Sequence, residues 1–338
     1  MEKVKFAVVG CGSIGKRHLA VIDAQERAEL VAICDINEKV CRELSQQYSN
    51  VPFFTKFEEM IRSTDADIIS IATPHGLHAD MAVFSACAGK NILVEKPMAL
   101  TVLDCHRMIN EAKRNNVKLM VVKQNRFNVP IALTKEALDK NALGRIFMVK
   151  CDVLWNRNKE YYTESDWRGI KNLEGGALFT QVSHFIDLMI LWCGKPISAK
   201  SSISTKNHEI EIEDCGSSII KFDTGVTGIL NWTTCIYNKN YEGSLTLIGE
   251  NGTIKIGGAY LNKIEFWDVK SYPLSEDVNF KDKPNLYGKY QGTSSNHDKV
   301  VNEVIAILLN ERGNVVEGDE GMKTIEAIEM IYANALKE

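Results

Sequence analysis

A short apolar strand that runs into a glycine-spaced turn and then directly into a helix leaves a chain few folds to adopt. Val4–Val9 reads Val-Lys-Phe-Ala-Val-Val, and Gly10-Cys11-Gly12-Ser13-Ile14-Gly15 follows at once. Helical residues continue over 16–24, and a second apolar strand, Ala28–Cys34, ends at Asp35. A G-x-G-x-x-G alone is weak. With a strand before it, a helix after it and an acid about twenty residues on, it has the context of a dinucleotide-binding βαβ unit. Gly10 permits the tight turn, Gly12 lets the backbone approach a pyrophosphate, and Gly15 lets helix and strand pack closely. Unpaired N–H groups at the helix start suit phosphate oxygens. Asp35 is placed to accept from a ribose and to repel a 2′-phosphate, and neither Ile36 nor Asn37 offsets it, so NAD is favoured over NADP.

Alternating helices and apolar strands continue: a helix and short strand over 37–54, a helix at 56–63, a strand at 67–72, a helix at 79–88 and another at 101–115. Thr101 and Asp104 stand at the capping-box offset of that last helix, and a strand follows at 118–122. Two strand ends carry unusual residues. Residues 67–72 end in Thr73-Pro74-His75-Gly76-Leu77-His78, and Ile92-Leu93-Val94 ends in Glu95-Lys96-Pro97. The C-terminal ends of parallel strands are where open α/β sheets bind ligands. His75 and His78 have no carboxylate or cysteine at metal-ligand spacing, so a loop touching the cofactor is the better reading and no metal is expected. His18, on the first helix, reads as a packing or surface residue.

After Pro130 the pattern changes. A helix at 131–141 precedes strand-like segments at 146–154, 217–222, 226–232, 244–248, 253–256 and 263–269, with hairpin turns at Asp223-Thr224-Gly225 and Glu250-Asn251-Gly252. Residues 270–293 are polar and read as a long loop, and helices at 297–309 and 321–336 close the chain. The fold class is α/β: a doubly wound parallel sheet over 1–124, then an α+β domain with a large, mainly antiparallel sheet over 125–338, whose last helices are able to return to the first domain.

Two passages of the second half carry chemistry. Trp155, Arg157, Tyr161 and Tyr162, with Trp167 and Arg168, interleave aromatics and guanidinium groups. That mixture suits a sugar or nucleotide through stacking and charge-assisted bonds, and it equally suits an aromatic core with arginine at its surface. Residues 175–193 form a helix apolar nearly all round, hence buried. Thr180, Gln181, His184 and Asp187 make one polar stripe on it, and buried polar groups need partners. His184 is the candidate general base of that stripe.

The 338 residues carry 25% charged side chains and a net charge of −4, which points to neither a nucleic acid nor a membrane surface as partner. No apolar run approaches the length of a membrane span. Nine cysteines without a C-x-x-C pair fit a reducing, cytoplasmic setting rather than a disulfide framework.

These residues resemble the glucose-fructose oxidoreductase / inositol dehydrogenase / MocA family over essentially the whole chain. The resemblance rests on the glycine turn, Thr73-Pro74 with His78, Glu95-Lys96-Pro97, and the Gly175-Gly176 helix carrying His184. Residues 121–126 (Val-Val-Lys-Gln-Asn-Arg), Tyr161-Tyr162, Trp167-Arg168-Gly169, 211–214 and 242–249 are similar to a bacterial subgroup that oxidises C3 of UDP-N-acetylglucosaminuronate for surface-polysaccharide synthesis. The resemblance implies catalysis by Lys96 and His184. It implies NAD held by Gly10, Gly12, Ser13, Ile14, Gly15, Asp35, Thr73, Pro74, His78, Glu95, Lys96, Gln124, Trp167 and Arg168. For the substrate it implies Lys96, Asn125, Arg157, Tyr161, Arg168, Gln181 and His184. The open sheet face of the second half points to a homodimer or homotetramer formed through that sheet. Many family members carry Asp where this chain has Thr180, which moves proton transfer onto His184 and Lys96. Three other readings stay open: a dehydrogenase of another sugar or polyol, a glycoside hydrolase that uses NAD transiently, and a non-catalytic NAD sensor.

Overall fold

A computed structural model describes residues 2–258, 260–274, 284–287 and 290–337. The chain divides into two units, Met1–Lys123 with His297–Ile325, and Gln124–Asn296 with Glu326–Glu338.

The first unit is built on six parallel strands: β1 (Val4–Val9), β2 (Ala28–Cys34), β3 (Phe53–Phe54), β4 (Ile68–Ile71), β5 (Asn91–Val94) and β6 (Leu119–Val121). Their order is β6-β5-β4-β1-β2-β3, and Val316–Glu317 adds an antiparallel seventh beside β6. The order reverses at β1, so the loops after β1 and β4 flank the position where such sheets take a nucleotide. All four residues of β4 are buried, as are Phe6, Ala7, Val8 and Val9, the pattern of a parallel sheet covered on both faces. The first helix, α1 (Ser13–Asp23), begins three residues earlier than the sequence suggests, because Gly12 in extended conformation is already its N-cap. Thr101 caps the helix Val102–Arg114 by accepting from the Asp104 N–H at 3.0 Å.

The second unit holds β7 (Ile146–Leu154), β8 (Pro196–Ser204), β9 (Cys215–Phe222), β10 (Thr227–Thr233), β11 (Glu242–Gly249), β12 (Gly252–Gly257) and β13 (Lys263–Val269). They run in the order β13-β12-β11-β7-β10-β9-β8, with Ala335–Lys337 beyond β8. Pairing is antiparallel except for β7 with β10 and β8 with Ala335–Lys337. Both expected hairpin turns are present. β8 has no counterpart in the sequence pattern, where Gly194 and Pro196 end the preceding helix and no strand is expected before residue 217. The core side of β8 presents Ala199, Ser201 and Ile203, and Ser201 Oγ meets Ser218 Oγ of β9 at 2.8 Å. A serine pair in the sheet interior hides the apolar period. The chain end also differs: the helix Gly318–Ala333 stops short of Leu336, and the last residues extend along β8. Of the expected loop over 270–293, Pro284–Tyr287 pairs with Tyr290–Ser294, and 275–283 and 288–289 lie outside the described residues.

Residues 175–193 are not one regular helix. Lys171–Glu174 is helical, Gly175 and Gly176 take φ of +90° and +148°, Leu178–Val182 forms a π-helical turn, and Ser183–Cys193 is α-helical. Contrary to the expectation above, 171–193 is long and apolar enough to cross a membrane by length and composition, but 78% of its most apolar stretch is buried inside the protein. A π-turn rotates the side chains on either side of it and is frequent at functional sites.

Below this helix start lies Glu213. Its Oε1 accepts from Tyr332 Oη (2.7 Å), Trp232 Nε1 (3.3 Å) and the Leu178 N–H (3.2 Å). Burial pushes its pKa up to about 7, against those three bonds. The folded chain therefore binds a proton here that the unfolded chain releases above the ordinary glutamate value, so stability falls as pH rises from about 4.5 to about 7. Glu213→Gln keeps the carbonyl acceptor and removes the ionisable group. It is expected to raise stability at and above neutral pH by a few kcal/mol, and to leave it nearly unchanged in acid, as thermal midpoints from differential scanning across pH will show.

Candidate active site

In the first unit, the glycine turn is packed as the dinucleotide reading requires. Gly10 has φ +86°, and a Cβ there would stand 2.6 Å from Ala72 O. A Cβ on Gly15 would stand 1.7 Å from Gly10 O, whereas one on Gly12 would meet nothing within 4 Å. The turn is thus tight against the sheet and open above Gly12, at the uncapped start of α1. Asp35 ties the turn to the end of β2. Its Oδ2 accepts from the Cys11 N–H (2.7 Å) and its Oδ1 from the Asn37 N–H (2.9 Å). The residues fit a dinucleotide. Asp35→Ser is expected to raise kcat/KM for NADP relative to NAD by a factor of about five or more, the worth of removing one like charge near a phosphate, in parallel assays with the two cofactors.

The loops after β4 and β5 are linked by His78, which is fully buried. Its Nδ1 lies 2.9 Å from Pro97 O and its Nε2 2.9 Å from Thr73 O. Burial lowers its pKa, against those bonds. The sequence reading placed His78 and Glu95 against the cofactor, and both side chains lie inside the unit. Glu95 Oε1 meets His18 Nε2 at 2.8 Å and His297 Nε2 at 3.1 Å, while Oε2 accepts from the Lys96 N–H at 3.1 Å. His18 is therefore a partner for a buried charge, not a packing or surface residue. Lys96 itself is half-buried at the strand end.

In the second unit, Gln124 Nε2 donates to His184 Nε2 at 3.1 Å. The ring proton then sits on Nδ1, and the Nε2 lone pair faces the amide. Gln181 Nε2 donates to Tyr161 Oη at 3.2 Å. Two guanidinium groups lie over the Tyr161 ring, Arg168 at 4.1 Å and Arg157 at 5.2 Å, and Arg157 also lies over Trp155 at 5.0 Å. Arg157 Nε, Arg168 Nε, Gln181 Oε1 and both amide atoms of Asn125 are buried without a hydrogen-bond partner among the described residues. Beside Arg157 a cleft of about 440 Å³ opens, bordered by Asn156, Lys159, Asn207, Thr234 and Tyr237.

The polar stripe divides in two. Asp187 is spent on Arg126, which donates to it twice (2.8 and 2.9 Å). Thr180 hydrogen-bonds the carboxyl of Glu174, whose pKa burial raises. Glu174, fully buried with Oε2 on the Gly169 N–H at 2.5 Å, escaped the sequence reading. An acid directly before two glycines was its only signal. Two clusters of ligand-type groups occur among the described residues, His18/Glu95/His297 and His208/Asp214/Cys235. In the second, Asp214 accepts from the Lys206, Asn207 and His208 N–H groups and the His208 ring, which holds that ring's pKa up to about 9.

Residues 4–123 match the oxidoreductase family with an NAD-binding Rossmann fold, and residues 131–255 match the GFO/IDH/MocA C-terminal domain. The chain belongs to the GFO/IDH/MocA family. It is an NAD-dependent oxidoreductase. The WlbA dehydrogenase of Bordetella pertussis, solved with NADH and UDP-GlcNAcA, is 34% identical at a TM-score of 0.89, covering 98% of this chain and 96% of that one. WlbA of Chromobacterium violaceum, with the same two ligands, is also 34% identical at a TM-score of 0.90, covering 99% and 94%. A 1-carboxy-3-chloro-3,4-dihydroxycyclohexa-1,5-diene dehydrogenase of Comamonas testosteroni is 29% identical over 68% of this chain, a match that spans 58% of that relative's length. Within the GFO/IDH/MocA family, then, this chain has the glycine turn, the Glu95-Lys96-Pro97 strand end and the His184 helix in the places its sequence indicated.

Proposed function

We propose that this enzyme oxidises a secondary hydroxyl of a nucleotide sugar, C3 of UDP-N-acetylglucosaminuronate, in the supply of surface-polysaccharide sugars. The observation that carries this reading is the second unit's cluster of buried polar groups. Arg157, Arg168 and Gln181 contact the Tyr161 side chain, and they and Asn125 leave buried polar atoms that a carboxylate, a phosphate or sugar hydroxyls would satisfy. The ligands of the two WlbA relatives have that chemistry.

NAD, when bound, accepts the hydride. His184 takes the hydroxyl proton, exchanging its hydrogen bond from the Gln124 amide for one from the substrate. Lys96 lends its ammonium charge to the oxygen as that proton leaves. Arg157, Arg168 and Gln181 hold the anionic substrate, and Tyr161 keeps the guanidinium planes in place. Following the NADH band with a panel of UDP-sugars, with and without a 2-oxo acid, tests this. Turnover on the UDP-glucuronate derivative and not on the neutral UDP-sugars supports it, and equal rates on free polyols would replace it with the broader sugar or polyol reading.

The outer face of the second sheet exposes Ile219, Ile248 and Phe266, an apolar face for another copy of the chain. Light scattering is expected to show a dimer or tetramer, and Ile219→Glu with Phe266→Glu is expected to lower the mass to that of a monomer.

A further inference from the structure

The Lys96 strand end rests on a buried anion. Glu95 lies one residue before Lys96 and is 5% exposed, with histidines 1% exposed on two sides of it, His18 from α1 and His297 from the helix His297–Leu308. Both present Nε2 to Glu95 Oε1, and Ser70 Oγ of β4 stands 2.7 Å from His18 Nδ1. With the serine hydroxyl donating, His18 is fixed as the Nε2–H tautomer, so its proton points at the carboxylate. Burial alone would favour a neutral carboxyl; the bonds from His18 and His297 outweigh it and hold the group well below the usual carboxylate range. Burial also keeps His297 toward its neutral form. A buried carboxylate that accepts from two histidines stays ionised, and in a low-dielectric interior its charge reaches further than in water. Glu95 and Lys96 both act on the buried His78 ring, and Arg17 acts on His297.

We propose that Glu95, pinned by His18 and His297, is the positioning residue for Lys96: it bonds the Lys96 backbone and supplies the fixed negative charge that keeps the Lys96 ammonium protonated. The helix that starts at the dinucleotide turn thereby holds the lysine's strand end through His18. The catalytic consequence rests on the role given to Lys96 above, but the charge coupling does not.

The test reads Lys96 directly. Trinitrobenzenesulfonate attacks only the unprotonated amine, and peptide mass locates the label. In the wild-type chain labelling of Lys96 is expected to have its midpoint at or above the ordinary lysine value, about 10.4. A midpoint well below that overturns the proposal whatever the variants do. Glu95→Gln is expected to speed labelling at neutral pH about tenfold, one pH unit of coupling. His297→Ala, which removes a donor and leaves the acid ionised, should leave labelling at neutral pH close to wild type. Labelling of Glu95→Gln indistinguishable from wild type overturns the proposal. In turnover, the alkaline limb of the kcat profile should move to lower pH in Glu95→Gln, a shift that a purely structural role would not produce. If labelling shifts while no UDP-sugar is turned over, the substrate assignment falls and the role of Glu95 stands.

Discussion

His184→Ala and Lys96→Ala should each remove most of the turnover while NAD still binds. Losing a general base costs about 10²–10⁴-fold in kcat, and losing a charge that stabilises a developing alkoxide costs about 10²–10³-fold. Both losses should fall on kcat more than on KM, because in the proposed mechanism each group acts on the oxygen only as its proton departs. The two residues differ in what can replace them. His184→Gln supplies a hydrogen-bond acceptor but no proton acceptor at neutral pH, and should stay inactive. Lys96→Arg retains the charge and should recover part of the rate, limited by the altered reach of a guanidinium. Stopped-flow NADH formation, with NAD affinity measured separately by fluorescence, separates these outcomes. Near-normal kcat in both alanine variants would remove the assignments.

The glycine turn yields the other large effect, through a contrast between two neighbours. A Cβ at position 15 would lie 1.7 Å from Gly10 O, a backbone atom with no freedom to retreat, whereas a Cβ at position 12 would meet nothing within 4 Å. Gly15→Ala should therefore force β1 and α1 apart. It is expected to cost about 3 kcal/mol of stability or more and to abolish NAD binding. Gly12→Ala should leave the thermal midpoint of the protein without cofactor where it is. It should still weaken NAD binding, because the methyl group occupies the space through which the backbone approaches the pyrophosphate. Thermal midpoints with and without NAD report both quantities in one experiment. Equal stability losses in the two variants would mean that the turn is not packed as described.

The same distinction between near and distant partners separates what the sequence shows from what it conceals. Gly12, Thr101 with Asp104, and the turn at Asp223-Thr224-Gly225 obey rules that act over a few residues, and all are found where those rules place them. The π-turn at Leu178–Val182 is a different case. Composition marks 175–193 as a buried helix, but the irregular turn follows from how Gly176, Tyr332 and Glu213 share one small space: a Cβ on Gly176 would fall 2.1 Å from Tyr332 Oη. β8 was hidden because its interior position 201 is a serine satisfied by another serine on the next strand.

The candidate site shows the division most clearly. Lys96, His184, Arg157 and Arg168 were legible as types: a charged residue at a strand end, a histidine on an apolar helix, guanidinium groups among aromatics. Their partners were not. Glu95 finds His18 across 77 residues and His297 across 202, and Arg126 finds Asp187 across 61. Amino-acid order alone determined the dinucleotide turn, the parallel-then-antiparallel plan and the residue types able to do redox chemistry on a sugar, since spacing and sterics within a few residues suffice for these. Only the tertiary structure decided which buried polar group satisfies which, because a buried charge is stabilised by whatever the returning chain brings within about 3 Å of it, and sequence separation carries no record of that distance.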